Sequence, residues 1–158
     1  MTPNEFLVEG VYPNAEILVN EPANRRHAYN LIASIDSLSA HIFDWCLHHN
    51  AAYVSKFRND IEYRQHLSKL NHEFELVRDL AKAQKHVKLD RGTPRVTSAK
   101  QVESRALGWD EASWDEALWD GPPQVVVTTD DGSVHVITSV SAAAVKFLEE
   151  EMRSLGIT

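Results

Sequence analysis

Hydrophobic residues follow a helical period through the first half of the chain and a shorter period after it. Between residues 22 and 50 the apolar side chains recur every 3.6 positions on average, which predicts a long amphipathic helix that starts at Pro22. A second stripe predicts another helix over residues 59–88, stopped by Gly92. A helix of about 29 residues would be about 44 Å long. Since a small domain needs less, we expect one end to project or to pack on a second copy.

The pattern changes toward period two after Pro94. The short runs 124–129 and 133–138 are rich in β-branched residues and flank an Asp-Asp-Gly turn, which is typical of a β-hairpin. Residues 141–155 then show a helical stripe that Gly156 would end. The first 21 residues hold only short apolar runs, and we expect short strands or packing arms there.

The order of these elements predicts an α+β fold: a long antiparallel helical hairpin packed with a small antiparallel β-meander and a C-terminal helix. We expect a single domain over residues 1–158. Its parts are the hairpin at 22–88, the meander at 94–140 with an insertion at 108–123, and the helix at 141–155.

Composition limits the class of protein. The chain has 158 residues, 43% of them hydrophobic and 25% charged, which is ordinary for a folded domain. Its one cysteine, Cys46, excludes an internal disulfide, and its place in an apolar stripe indicates a buried thiol. The chain has neither a signal-peptide pattern nor a long apolar run. We therefore expect a cytoplasmic protein that does not enter a membrane.

Charge is unevenly distributed. The net charge of the chain is −7, but residues 77–100 hold seven Lys or Arg and two Asp, a local balance of +5. This basic island either binds an anion or pairs with acids of the same chain. Cations at a helix C-terminus also meet the negative end of the helix dipole, which is the ordinary structural explanation. The anion-binding candidates are Lys82, Lys85, Lys88, Arg91 and Arg95.

An acidic, tryptophan-rich segment follows the basic island. Residues 103–120 carry a balance of −5, and Trp109, Trp114 and Trp119 repeat every five residues within it. Two interpretations stay open: a loop whose tryptophans cover the edge of the core, or a contact with a protein partner. The acids of this segment would repel nucleic-acid phosphates, and they could neutralise the basic island within one chain or across a dimer.

Histidine is frequent, with eight residues in the chain. If the two long helices pair antiparallel, His48 would lie near Glu62 and His41 near Lys69. Histidines on a polar helix face are the ordinary explanation, and we expect no metal and no cofactor. The residues that would form a metal site if one existed are His41, Asp44, His48, Glu62 and His66.

The run D-L-A-x-x-x-K-H, from Asp79 to His86, resembles a group of uncharacterised bacterial and phage-like helical proteins. The shared stretch covers little more than the second helix and the loop after it, and it implies a helical hairpin of unassigned activity. The chain also resembles, more faintly, the HEPN superfamily of helical RNases and nucleotide-binding modules. Their nuclease signature has Arg and His separated by four to six residues, whereas seven separate Arg78 from His86 here. The resemblance implies Arg78 as phosphate ligand and His86 as general acid or base.

No motif in the sequence fixes a reaction: there is no Gly-rich phosphate loop and no Ser/His/Asp signature. Our leading hypothesis is a non-catalytic, homo-oligomeric interaction module that works through its surfaces. The first alternative is a nucleic-acid or nucleotide binder, or an RNase, that uses the basic end of the second helix. The second alternative is a metal-dependent activity.

Overall fold

The structure, a computed structural model, describes residues 1–86, 89, 92–108 and 121–157. It confirms the α+β fold, with helices packed against a three-stranded antiparallel sheet and a helix at the C-terminal end. None of its helices is both long and apolar enough to cross a membrane, within the residues described. The helices are α1 (Pro3–Phe6), α2 (Tyr12–Asn20), α3 (Arg25–His49), α4 (Ala51–Val54), α5 (Asp60–Leu70), α6 (His72–His86) and α7 (Ile137–Ser154).

The first residues form a helical arm, so the expectation of short strands there is wrong. A capping box between Thr2 and Glu5 starts α1, and a π-helical turn over Leu7–Val11 joins it to α2. Leu7 and Val11 are buried in the main core together with Leu18 of α2. Apolar residues spaced by four and seven share one helix face, and the short runs at 6–8 and 17–19 each contribute one buried residue, Leu7 or Leu18, to that face.

α3 is the central helix of the fold. It begins after Asn24, whose side chain accepts a hydrogen bond from the backbone N–H of Arg26 at 3.1 Å, and not at Pro22 as the sequence indicated. Its predicted apolar stripe is buried, from Ala28 and Leu31 through Ile42 to the thiol of Cys46. α3 contacts the arm, α5, α6 and α7 and so lies at the centre of the core.

The predicted second helix is two helices, which corrects the sequence analysis. Asn71 has extended backbone angles, φ −145° and ψ 121°, and separates α5 from α6. Its side-chain Oδ1 accepts a hydrogen bond from the N–H of Phe74 at 2.8 Å and thereby caps α6. No element is therefore overlong, and the length argument for packing on a second copy does not hold.

The sheet has the order β1-β2-β3, with β1 (Val102–Arg105), β2 (Gln124–Thr128) and β3 (Val134–Val136). The predicted Asp-Asp-Gly turn joins β2 to β3, and Gly132 has φ 88°, which favours glycine. Asp131 Oδ1 accepts hydrogen bonds from the Thr129 hydroxyl and the Ser133 N–H, at 2.6 and 2.9 Å. These bonds, the one from Thr129 most, lower the pKa of Asp131 to about 2.

α7 begins at Ile137, four residues before the predicted start. Neither Ser139 nor Ser141 caps it: its N-cap is Val136, and Ser141 is a buried residue of the helix. The helix ends where the sequence predicted, at Gly156 with φ 73°.

A partly buried carboxylate joins the end of α7 to α4 and α5. Glu151 Oε1 accepts hydrogen bonds from the hydroxyls of Tyr53 and Tyr63, at 2.6 and 3.1 Å. Burial, followed by the interactions with Glu151, raises the pKa of both tyrosines. Cys46 lies close by, and burial with the charge of Glu151 raises the pKa of its thiol to about 11. The prediction of a buried cysteine is confirmed.

Candidate anion-binding cleft

A polar cleft of about 510 Å³ opens between α5, α6 and the loop after α6. A volume of this size is typical of small-molecule sites, which span roughly 300–1,000 Å³. The cleft lies at the part of α6 where the sequence placed the basic island. Its lining residues are Gln65, Ser68, Lys69, Glu75, Arg78, Asp79, Lys82, Leu89, Gly92, Thr93 and Pro94.

Two asparagine caps set the geometry of the cleft walls. Asn59 caps α5 by accepting a hydrogen bond from the N–H of Glu62 at 3.0 Å, and Asn71 caps α6. Because the chain is extended at Asn71, α6 does not continue the axis of α5, and residues of both helices face a common space. In one continuous helix, Lys69 and Arg78 would lie along the same helix axis instead of on two walls of a cleft.

Arg78 is the most unusual residue of the cleft. It is only 5% exposed, yet it has no carboxylate within 4 Å among the described residues. Its Nη1 and Nη2 form long hydrogen bonds of 3.4 Å to Ser68 Oγ and to the carbonyl oxygen of Ile61. Its buried Nε has no partner in the described part of the chain. A guanidinium has five N–H donors, so this one is poorly satisfied.

A second arginine, Arg64 of α5, differs from Arg78 in having two carboxylate partners, although its Nε also lacks a hydrogen-bond partner among the described residues. Its Nη1 donates to Asp36 Oδ2 at 2.9 Å, and its Nη2 pairs with Asp60. Arg64 takes both of these carboxylates, and neither is within pairing distance of Arg78.

The electrostatic surroundings disfavour the charge on Arg78. Burial is the main cause that lowers its pKa, and the neighbouring charge of Arg64 lowers it further. Asp36, Asp79 and Asp60 act in the opposite direction without restoring it. The positive charge of Arg78 is therefore incompletely compensated by the residues that the structure describes, and an anion placed in the cleft would compensate it.

The acids that line the cleft already have partners. Asp79 accepts hydrogen bonds from Lys82 Nζ at 3.0 Å and from the backbone N–H of Arg95 at 2.9 Å. Glu75 lies 3.5 Å from the imidazole of His72. In contrast, the exposed Lys69 has no partner in the described part of the chain, which leaves two cations, Lys69 and Arg78, available to a ligand.

The lining of the cleft combines polar and apolar groups. Ser68, Gln65 and Thr93 add hydroxyl and amide groups, and Leu89 and Pro94 add an apolar wall. No histidine or cysteine belongs to the described lining, so the cleft has neither an imidazole base nor a thiol nucleophile.

The structure separates the predicted catalytic pair. Arg78 is buried in the cleft, whereas His86 is exposed at the C-terminal end of α6 and does not line it. The separation of eight positions corresponds to about 12 Å along a helix. The HEPN-like roles of these two residues stay a prediction, but a shared site would need a long ligand.

The predicted anion ligands are placed differently from one another. Lys82 lines the cleft, and Lys85 is exposed on α6 outside it. Arg95 lies at another cleft, where its Nη1 donates to the carbonyl oxygen of His72 at 3.1 Å and its Nη2 lies 3.2 Å from the imidazole Nε2 of His135. Lys88 and Arg91 lie outside the described residues.

The residues considered for a metal site do not converge. His41 stacks on Phe6, with ring centroids 4.2 Å apart, and His66 lies against Phe57. Glu62 accepts a hydrogen bond from Arg58 Nε at 2.5 Å and forms no ion pair with His48. Asp44 and His48 are exposed on α3. Within the described ranges, no three His, Cys, Asp or Glu side chains could together hold a metal ion.

The tryptophan segment cannot be placed in this site. Trp109, Trp114 and Trp119 lie outside the described residues, as does most of the acidic insertion that could neutralise the basic island. Within the described part, the island's neutralising contact is the one from Lys82 to Asp79.

Sequence reasoning missed the α5 wall of the cleft. Gln65, Ser68 and Lys69 reach the cleft only because the helix is interrupted at Asn71. The hydrophobic pattern had predicted one continuous helix across that residue. The signal available in the sequence was Asn71 itself, since asparagine is a strong helix N-cap. Phe74 follows it three residues later, and then Glu75.

Searches of protein-family models, of curated proteins and of solved structures found no match to this chain. The function proposed below is therefore derived from the geometry of the molecule alone.

Proposed function

We propose that this protein is a non-catalytic binding protein that takes a small phosphate-bearing ligand into the cleft between α5 and α6. One observation carries the proposal: Arg78 is 95% buried at this cleft without a carboxylate partner among the described residues. An unpaired buried cation is costly unless something compensates it. A phosphate group brings the charge and the acceptor oxygens that the Arg78 guanidinium lacks.

The charges around the cleft favour phosphate over a single carboxylate. Lys69 and Arg78 together offer two positive charges that no described carboxylate neutralises, and a phosphate monoester carries about −1.5 to −2 charges at neutral pH. The Ser68 hydroxyl and the Gln65 amide supply further hydrogen bonds at the same wall. Leu89 and Pro94 would contact the apolar part of the ligand.

A small ligand fits better than a nucleic-acid strand. The chain has a net charge of −7, and a polyanion would meet this charge along most of the surface. A ligand enclosed in a cleft of about 510 Å³ meets only the local field.

The single buried, unpaired thiol of Cys46 is consistent with the reducing cytoplasm that we expected from the sequence.

The test measures binding of inorganic phosphate and of AMP by isothermal titration calorimetry, with chloride at matched ionic strength as the control anion. Wild-type protein should bind phosphate or AMP in preference to chloride, and Arg78→Met should lose that binding because the long apolar side chain keeps the volume but not the charge. Lys85→Ala is the matched control, since it removes a cation of the same helix outside the cleft and should bind as wild type does.

Stability measurements of the unliganded variants separate ligand binding from a structural role. If Arg78 serves the ligand, Arg78→Met should fold with unchanged or higher stability, because an incompletely compensated buried charge is removed. Arg78→Met with wild-type affinity for phosphate and AMP would refute the proposal. So would strong destabilisation of Arg78→Met together with no ligand binding by wild-type protein, since Arg78 would then be part of the structure only.

A further inference from the structure

A second open site lies where the N-terminal arm runs beside α7. Tyr12 OH donates a hydrogen bond of 2.7 Å to Glu149 Oε1 near one end, and Val19 and Thr138 line the other end. α2 and α7 are therefore antiparallel. A groove of about 430 Å³ remains between them, floored by Leu31 of α3.

Small residues create this groove. Ala15 of α2 and Ala142 of α7 line its middle, where larger side chains would have filled the space between the two helices. Val145 continues the apolar wall along α7. The lining from Thr138 to Glu149 extends about 16 Å along α7, since an α-helix rises about 1.5 Å per residue. This length matches about three turns of a partner helix.

The arm beside the groove presents an apolar ridge to solvent. Val8, Tyr12 and Val19 are 51%, 44% and 65% exposed, and their spacing by four and seven residues puts them on one side of the arm. Tyr12 and Val19 also line the groove, so ridge and groove form one continuous apolar surface. Exposed apolar surfaces of this kind mark interaction sites more often than single exposed side chains do.

Charge identifies the kind of partner. The first 21 residues contain four glutamates and no lysine or arginine. Glu9 and Glu16 are exposed beside the ridge and form no ion pair with another described residue. The side of the groove formed by α7 is closer to balance, because Lys146 and Arg153 accompany its three glutamates and leave a net charge of −1. The acidic side therefore attracts a basic partner.

We infer that the groove between α2 and α7 binds a basic amphipathic helix of another protein. Its apolar face would lie on Ala15, Leu31 and Val145, and its Lys or Arg side chains would lie over Glu9 and Glu16. A second copy of this chain is disfavoured because the two acidic arms would repel. An anionic membrane is disfavoured for the same reason. This inference does not depend on the phosphate-binding cleft.

The experiment uses a synthetic peptide of two LKKLLKL repeats, an amphipathic basic helix, titrated against the full chain by fluorescence anisotropy. Ala142→Phe fills the groove from an exposed position, and Ala143→Phe adds the same ring to the adjacent exposed residue outside the lining. We expect Ala142→Phe to weaken peptide binding by about tenfold or more, the loss typical of a blocked central contact, and Ala143→Phe to leave it unchanged.

The basic character is tested with the acidic counterpart LEELLEL and with Glu9→Gln/Glu16→Gln. The acidic peptide should not bind, and the double variant should bind the basic peptide more weakly. Equal binding of both peptides, or binding of the basic peptide that Ala142→Phe does not change, overturns the inference. If the wild-type chain self-associates in sedimentation experiments and Ala142→Phe abolishes that association, the inference is overturned in favour of a second copy as the partner. Val19→Ser provides a second variant at an exposed position if Ala142→Phe folds poorly.

Discussion

Asp36 Oδ2 and Arg64 Nη1 lie 2.9 Å apart and join α3 to α5 by a nearly buried ion pair. The side chain of Asp36 is 7% exposed and that of Arg64 is 18% exposed. This ion pair fixes how α3 and α5 face each other. It also engages the carboxylate of Asp36, which would otherwise be available to Arg78. The phosphate-binding proposal depends on this division of carboxylates between two arginines.

Asp36→Asn should destabilise the protein strongly. The amide keeps the shape of the carboxylate but leaves the charge of Arg64 with Asp60 as its one carboxylate partner, and breaking a buried pair costs about 3–5 kcal/mol. We expect a loss near the lower end, about 3 kcal/mol, because Asp60 remains. Urea unfolding measures it. Glu62→Gln, which removes the partner of the exposed Arg58, should cost much less because solvent screens that pair, and equal losses in the two variants would contradict this account.

Alkaline pH should lower the free energy of unfolding of this protein more than its composition alone indicates. The pKa values of Tyr53 and Tyr63 are raised above 10 in the folded state, so the unfolded chain loses these protons first. The contribution of these two hydroxyls to the free energy of unfolding should therefore be fully present below pH 9 and be lost above it, by up to about 1.4 kcal/mol per pH unit for each group that titrates only when unfolded. Cys46, with a pKa raised to about 11, adds to the fall above pH 9.

Tyr63→Phe provides the comparison for the alkaline prediction. It removes the more deeply buried hydroxyl and leaves Glu151 its hydrogen bond from Tyr53. Guanidinium unfolding from pH 8 to 11 should give a shallower slope for Tyr63→Phe than for wild type. A wild-type stability that does not fall above pH 10 would show that these hydroxyls ionise as freely in the fold as in the unfolded chain.

Ser141→Ala should stabilise the protein. Ser141 is 1% exposed, and its Oγ has no hydrogen-bond partner within the described residues. Removing an unsatisfied hydroxyl recovers part of a desolvation cost of about 1–3 kcal/mol, so we expect a gain of about 1 kcal/mol. Ser39→Ala should act in the opposite direction, because the buried Ser39 Oγ donates to the Asp36 carbonyl oxygen at 2.6 Å. Thermal unfolding of both variants tests the sign, and a loss in Ser141→Ala would indicate a partner for its hydroxyl.

Asn71→Ala should weaken the junction between α5 and α6. The substitution removes the side chain that caps α6, at a cost of about 1 kcal/mol. It should also weaken phosphate binding, because the two walls of the cleft meet at this residue. Asn30→Ala, at an exposed position within α3, is the control and should not lower stability. Unchanged stability in Asn71→Ala, measured by urea unfolding, would argue against the cap.

The thiol of Cys46 should be inert in the folded protein. It is fully buried, and its raised pKa leaves almost no thiolate at pH 8. Reaction with Ellman's reagent should therefore proceed at the rate of unfolding and become fast in urea. Rapid modification of the native protein would show that the core around α3 opens readily.

Much of the fold followed from local patterns. The stripes of α3, the Asp-Asp-Gly turn before β3 and the stop at Gly156 were predicted and are confirmed, because period and turn chemistry are read within a few residues. At the N-terminal arm the sequence left short strands and packing arms open, and only the strands are wrong, since short apolar runs do not distinguish a helix from a strand. The single long helix was also wrong, because the amphipathic period runs on across Asn71.

The candidate sites were less accessible to sequence reasoning. Arg78 was singled out as a cation of the basic island, but its charge alone did not show that it is buried and unpaired. That state depends on Arg64, fourteen positions earlier, taking both Asp36 and Asp60. The groove between α2 and α7 joins residues more than a hundred positions apart, and no local pattern marks such a pair.

The sequence by itself determined that this protein has an α+β fold, a buried cysteine and a cluster of cations at the end of its second helical segment, because hydrophobic period, turn residues and charge are local properties of the chain. The tertiary structure decided which of those cations is neutralised. Lys82 pairs with Asp79 on the same helix, but Arg78 is buried beside a polar cleft while the nearby Asp36 pairs with Arg64. Whether Arg78 is compensated depends on distances of a few ångströms to groups far apart in sequence, and only packing sets those distances.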